Sequence, residues 1–142
     1  MGRQIRSLFD KKYRRAFRNL RHLPRLKYRY VIDGGASRGA FTDAFLELHQ
    51  PERLVLVEPI PDVVEKLRVK YAGNSAISVV AAALSDKNGE APFEINRSTE
   101  SSSLLPIDPR NTAWFNRDLA VARTIRVRTM VLKVKLLKEL NC

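Results

Sequence analysis

The junction between residues 30 and 39 constrains the fold of this chain more than any other segment. An apolar run from Tyr30 ends in Asp33, breaks into a glycine-rich turn and continues as a helical pattern from Ala40 to Leu48. β-Branched, uncharged residues before the acid are typical of a strand buried in a parallel sheet. Glycines in the turn permit positive φ angles and close approach of a ligand, and the first N–H groups of the following helix are free to bind it. The segment therefore predicts a strand, a turn and a helix that hold a nucleotide cofactor.

Two classes of cofactor compete for this turn. The dinucleotide fingerprint has three glycines, and Gly34, Ala36 and Gly39 match it only with an alanine where the backbone comes closest to a pyrophosphate. The pattern Asp-x-Gly-x-x-x-Gly of S-adenosylmethionine sites is met by Asp33, Gly35 and Gly39 without substitution. A plain connection from sheet to helix uses the same residue types, so a turn without a ligand also stays open.

A second acid follows the second apolar run. Residues 53 to 57 predict a strand, which ends at Glu58 and Pro59. A carboxylate at this end of the second strand accepts two hydrogen bonds from the vicinal diol of a ribose in both cofactor classes. Beyond it, a helix is predicted to run to about Tyr71, and residues 76 to 83 predict a third strand. The helix is indicated by its apolar residues Val63, Val64, Leu67, Val69 and Tyr71.

These segments together resemble the FkbM-type methyltransferase family over about residues 28 to 140. The resemblance rests on the order and spacing of Val31 to Thr42, Val57-Glu58-Pro59, Ala83 to Asp86 with Gly89 and Phe93, and Ser101 to Leu104. It implies an α/β, Rossmann-like class I fold of three layers, α/β/α. It also implies that S-adenosylmethionine is bound and that a hydroxyl of a sugar or other small metabolite is methylated.

The same resemblance implies the residues of the cofactor site. The turn would hold the methionine part of the cofactor, Glu58 would hold the ribose, and the remaining residues would border the adenine. The turn residues are Asp33, Gly34, Gly35, Ala36, Ser37, Arg38 and Gly39, and the adenine residues are Pro59, Ile60 and the segment from Ala83 to Asp86. No residue is assigned as the catalytic base, and no metal site is expected.

The family pattern also predicts an incomplete domain. Lys133 stands where family members have an acid, and the sequence ends at Cys142, before the expected fourth strand. We therefore expect residues 28–142 to be the cofactor-binding part of a methyltransferase domain, with the substrate-facing half lacking, and activity of this chain alone stays open. Because the fourth strand pairs with the first in that fold, Val31 and Ile32 would lie on an open sheet edge, which favours self-association.

Positive charge is concentrated in residues 1–27 and the residues just after them. The net charge is +11, and the 11 Lys and Arg up to Arg29 face one acid, whereas residues 30–142 carry 15 bases and 14 acids. Apolar residues recur at helical spacing among these bases, which predicts a basic amphipathic helix. Such a helix can bind RNA or an anionic membrane, or it can pack its apolar side on the body of the protein while the charges remain in solvent.

Three functions of different class follow. The first is a methyltransferase that uses S-adenosylmethionine. The second is a Rossmann-like module without enzymatic activity that is attached to RNA or an anionic membrane, and the third is a NAD-dependent oxidoreductase. No apolar stretch approaches the roughly 18 residues of a membrane span. We therefore expect the protein in the cytoplasm, either free or attached peripherally to a membrane.

Overall fold

The computed structural model describes residues 10–97, 102–105, 108 and 120–132. These residues form two compact units, one of residues 10–81 and one of Ala82–Leu132. The first unit contains α1 (Lys11–Leu20), β1 (Tyr30–Gly34), α2 (Ala40–Leu48), β2 (Arg53–Glu58), α3 (Pro61–Tyr71) and β3 (Ile77–Ala81). The second unit contains β4 (Ala83–Leu84), β5 (Gly89–Asn96) and β6 (Val121–Met130).

The first unit is built on a parallel sheet with the strand order β1-β2-β3. Its middle strand, β2, pairs with both neighbours and buries every residue after Arg53, and Leu54 and Leu56 are 0% exposed. A strand covered on both sides in this way reads as a continuous apolar run rather than an alternating one. The predicted α/β class and the Rossmann-like succession of strand, helix and strand are therefore confirmed.

Each of the three described helices begins at a residue that suits a helix start. The Asp10 side chain caps α1 by accepting hydrogen bonds from the N–H groups of Lys12 and Tyr13 at 2.8 and 3.5 Å. Pro61 occupies the first turn of α3, where a missing N–H is tolerated. Gly39 caps α2 with a φ of 77°, a conformation that suits glycine.

The apolar side of α1 packs on α2. Tyr13 and Leu20 are 5% and 6% exposed, Ala16 and Phe17 are partly buried against the same core, and the Tyr13 hydroxyl donates a hydrogen bond to Glu47. Of the alternatives for the basic segment, residues 11–20 therefore follow the one in which the apolar stripe covers the body. The predicted helix residues before position 10 lie outside the described residues, and the predicted division of the chain at residue 28 stays a prediction.

The predicted third strand, residues 76 to 83, is wrong as a single element. β3 ends at Ala81, and Ala83 begins β4, which pairs with β6 in the other sheet. The physical reason lies in β2, because Ala81 is paired with Glu58, the last residue of that strand, and the following Pro59 has no N–H to continue the pairing.

The second unit is a three-stranded sheet of order β4-β6-β5. β5 and β6 pair antiparallel from Gly89↔Thr129 to Asn96↔Val121, and β4 pairs parallel with β6. One face buries Phe93, Ile95 and Val127, and Met130 at the end of β6 is buried as well; each of the four is 5% or 6% exposed. Pro92 is compatible with its place in β5 because this strand lies at the edge of the described sheet.

Within the described residues, β1 pairs with β2 and with no other strand. Val31 and Ile32 are of intermediate exposure, and Tyr30 is 37% exposed. This is the edge expected from the sequence, and self-association through it stays a prediction. None of the described helices is long and apolar enough to cross a bilayer.

Candidate functional site

The predicted cofactor turn lies where the carboxyl ends of β1 and β2 meet. The N–H groups of Gly35 and Ala36 both donate to the carbonyl oxygen of Val57, at 2.8 and 3.2 Å. These bonds hold the start of the turn against the last residues of β2. In open parallel sheets, ligands bind at this end of the strands. The backbone therefore brings the two predicted parts of the site, the turn and Glu58, to one place.

Glu58 is bound to the turn through its side chain. Its oxygen Oε2 accepts a hydrogen bond from the N–H of Ser37 at 2.9 Å, and Oε1 accepts one from the N–H of Ile60 at 3.0 Å. The residue is 4% exposed, so it is not the solvated acid of an ordinary strand end. A buried carboxylate needs such partners, and here the backbone of the predicted site supplies them.

Asp33 provides a second buried carboxylate beside the turn. It is 8% exposed, and its Oδ2 accepts a hydrogen bond from the hydroxyl of Thr42 at 2.7 Å. Burial raises the pKa of the Asp33 carboxyl, and the bond from Thr42 opposes that shift in part. The side chain thus joins the end of β1 to the first turn of α2.

Alternate residues of the turn adopt left-handed backbone angles. The φ angles of Gly35, Ser37 and Gly39 are 75°, 48° and 77°. Turns of this kind direct successive N–H groups toward a common acceptor, and in this protein the carboxylate of Glu58 takes the N–H of Ser37. A positive φ at a residue with a side chain costs free energy, and the bond to Glu58 helps to hold Ser37 in that conformation.

The two glycines of the predicted pattern Asp-x-Gly-x-x-x-Gly, Gly35 and Gly39, have different surroundings. A Cβ placed on Gly35 would meet no atom within 4 Å, so the backbone there borders open space. A Cβ placed on Gly39 would overlap the Tyr71 hydroxyl oxygen and lie 3.2 Å from the ring carbon Cε2 of the same residue. Of the two glycines, Gly35 is thus the one that leaves room for a ligand, and Gly39 leaves room for a side chain of α3.

The end of α3 contributes two residues that the sequence analysis did not assign to the site. The Tyr71 hydroxyl bonds to the carbonyl oxygen of Gly39 at 3.1 Å and to Asp43 Oδ1 at 2.8 Å. Lys70 Nζ donates to the carbonyl oxygen of Arg38 at 2.9 Å and to Asp43 Oδ2 at 2.5 Å. Burial, together with the nearby carboxylate of Asp43, raises the pKa of the Tyr71 phenol, which keeps it protonated as a donor. Separations of 27 to 32 residues hide these contacts from any local sequence pattern.

The remaining predicted site residues are placed as follows. Gly34, Gly35 and Arg38 are exposed, Ala36 is 5% exposed, and Ile60 is 7% exposed at the start of α3. Ala83 and Asp86 lie in the second unit, where Ala83 is 5% exposed and Asp86 Oδ1 accepts a hydrogen bond from the Ser85 hydroxyl at 3.1 Å. Their place beside an adenine stays a prediction, as does the assignment of Pro59.

In the described part of the chain, no three His, Cys, Asp or Glu side chains lie close enough to hold a metal ion.

Two solved structures are similar to part of this chain. One is methyltransferase FkbM from Methylobacillus flagellatus KT, with 19% sequence identity, a TM-score of 0.43, and coverage of 49% of this chain and 21% of that one. The other is a candidate RNA methyltransferase from Pyrococcus horikoshii, with 19% identity, a TM-score of 0.45, and coverage of 54% of this chain and 39% of that one. The first of these carries the name of the family that the sequence resembles.

This chain therefore spans about a fifth of one of these proteins and two fifths of the other. No protein-family model and no curated protein matches it.

Proposed function

We propose that residues 10–81 bind S-adenosylmethionine and that the chain is the cofactor-binding part of a methyltransferase. The observation that carries the proposal is the hydrogen bond between the carboxylate of Glu58 and the N–H of Ser37, at 2.9 Å. It joins the acid at the end of β2 to the glycine turn after β1, so that the two elements predicted to bind one cofactor form one site.

The charge beside the turn favours this cofactor over a dinucleotide. Asp33 and Glu58 place two buried carboxyl groups next to the same loop. S-adenosylmethionine brings a sulfonium cation and an ammonium group to such a site, whereas a dinucleotide brings an anionic pyrophosphate that needs free N–H donors. One of those donors, the Ser37 N–H, is already bound to a carboxylate. Asp33, the glycine turn and Glu58 therefore fit a cationic cofactor with a ribose.

Glu58 has the acceptor capacity that a ribose requires. Each of its oxygens accepts one backbone N–H, and a carboxylate has about four acceptor positions. Because the residue is 4% exposed, the diol reaches it only when the surrounding chain opens slightly. In this proposal, the ribose hydroxyls use the acceptor positions that the Ser37 and Ile60 N–H groups leave free, and the bond between Ser37 and Glu58 is kept.

The cofactor supplies an activated methyl group. Held by the glycine turn and Glu58, it would supply this methyl group to an oxygen of the acceptor, whose proton would pass to a base. The protein mainly holds the reactants in line. We propose a hydroxyl of a sugar or other small metabolite as the acceptor, on the strength of the family resemblance.

The test uses calorimetric titration to compare the binding of two ligands to the wild-type protein and to Glu58→Ala. The ligands are S-adenosylhomocysteine and its 2′-deoxyadenosine analogue, which lacks one of the hydroxyls that Glu58 would bind. Wild-type protein is expected to bind the deoxy analogue about 10-fold or more weakly, since a hydrogen bond to a charged group contributes about 1.5–3 kcal/mol. Glu58→Ala is expected to bind the two ligands equally. Comparing ligands within one variant removes any general loss of stability from the result.

Glu65→Ala is the matched control. Glu65 is an exposed acid on α3 that pairs with Arg68 at 2.6 Å, and its loss should leave the discrimination at the wild-type value. If Glu58→Ala still distinguishes the ligands, Glu58 does not hold the ribose. If a folded wild-type sample binds neither ligand, the cofactor proposal is wrong, and saturable binding of NAD in a parallel titration would favour the NAD-dependent oxidoreductase instead.

A further inference from the structure

The packing of α1 separates its two chemical surfaces. Its apolar side, with Tyr13 and Leu20 at its centre, is buried against α2. The opposite side therefore remains the surface that α1 presents to other molecules.

That opposite side carries a dense set of positive charges. We call it the basic face, and it consists of Lys11, Arg14, Arg15, Arg18 and Arg21, all of which are exposed. At 100° per residue, the four within the helix fall in a sector about 100° wide. Within the described residues, no ion pair joins any of the five to a carboxylate, and the Arg21 side chain instead bonds to His22 at 3.3 Å.

The spacing of these charges is unfavourable in the isolated protein. Lys11 and Arg15 are four residues apart, as are Arg14 and Arg18, and like charges at this spacing destabilise a helix. A bound polyanion would remove that repulsion, because each phosphate placed between two guanidinium groups attracts both.

We propose that the basic face binds the phosphate backbone of a nucleic acid. An amphipathic helix that lies on a membrane buries its apolar side among the lipids, and in α1 that side is already occupied by α2. Four of the five basic residues are arginine, whose planar guanidinium forms two parallel hydrogen bonds with a phosphate. None of the five residues belongs to the turn or is a hydrogen-bond partner of Glu58, so the inference does not depend on the proposed cofactor.

The test measures binding of the full chain to a fluorescent 20-nucleotide oligouridylate by anisotropy at several salt concentrations. For single strands, the logarithm of the binding constant falls with the logarithm of salt with a slope of about −0.7 per phosphate contact. Five contacts predict a slope of about −3.5, and Arg14→Gln/Arg15→Gln/Arg18→Gln is expected to reduce it by about 2. Glutamine preserves helix propensity, and circular dichroism checks that the variant is folded.

The control variant is Lys66→Gln/Arg68→Gln/Lys87→Gln. It removes the same net charge from exposed residues outside α1, and its slope should stay at the wild-type value. Equal slopes for the two variants would show that net charge alone drives binding, and absence of binding to the oligouridylate would overturn the inference directly. Binding to vesicles with 30% phosphatidylserine, without binding to the oligouridylate, would make an anionic membrane the partner instead.

Discussion

The close approach of Tyr71 to Gly39 predicts that the two positive-φ glycines of the turn differ in their tolerance of alanine. Gly35→Ala places a side chain in open space, so its cost is the left-handed backbone angle alone, about 1–2 kcal/mol. Gly39→Ala carries the same backbone cost and also displaces the Tyr71 hydroxyl from Gly39 and Asp43. Loss of a hydrogen bond to a charged carboxylate adds about 1.5–3 kcal/mol, so the total should be about 2.5–5 kcal/mol.

The contribution of Tyr71 can be isolated with a double-mutant cycle. Tyr71→Phe removes the oxygen that a Cβ at position 39 would overlap, so Gly39→Ala in that background should cost little more than Gly35→Ala. We expect a coupling free energy of about 1.5–3 kcal/mol between the two substitutions, measured by urea denaturation. Gly73→Ala is the control, because a Cβ there meets no atom within 4 Å and no positive φ opposes it.

Equal destabilisation by Gly35→Ala and Gly39→Ala would refute this reasoning. A coupling free energy near zero would do so as well, since it would mean that Tyr71 moves aside without losing a favourable interaction. Because all variants are compared in free energy of unfolding, the result does not depend on the identity of any ligand.

Two further predictions concern the pH dependence of stability and self-association. Because burial raises the pKa of Asp33 above its unfolded value, the folded state binds more protons between the two pKa values, and stability falls as the pH rises through that window. Asp33→Asn should therefore gain stability relative to wild type as the pH rises above about 4, the unfolded pKa of an Asp, and denaturation curves that shift in parallel at every pH would contradict this. For the open edge of β1, light scattering at high concentration should show association that Tyr30→Lys reduces, and a sharp monomer for the wild type would exclude it.

The sequence was sufficient for the elements whose surroundings are local or uniform. The apolar run of residues 53 to 57 predicts β2, and apolar residues at helical spacing predict α2 and α3. The same reasoning brought the turn and Glu58 together, because acids that follow neighbouring parallel strands lie at one edge of the sheet.

The sequence was insufficient where distant residues decide the outcome. The end of β3 depends on where its partner β2 ends, and the space at Gly39 depends on Tyr71, which is 32 residues away. The burial of Glu58 depends on Ser37 in the same way. The exposure of Val69, by contrast, follows from the sequence alone. At 100° per residue, Val69 falls on the side of α3 opposite Leu67, and it is 75% exposed, so it does not belong to the apolar side that indicates the helix.

The unequal surroundings of Gly35 and Gly39 bear on how glycine patterns survive in evolution. Gly39 is required by a contact within the protein, so selection for folding alone would retain it in a descendant that no longer bound any cofactor. Gly35 has no neighbour that a small side chain would disturb, and drift at this position is opposed only by its backbone angle and by whatever binds in front of it. In a set of relatives, variation at position 35 would therefore mark loss of binding, whereas replacement of Gly39 should accompany a change at Tyr71.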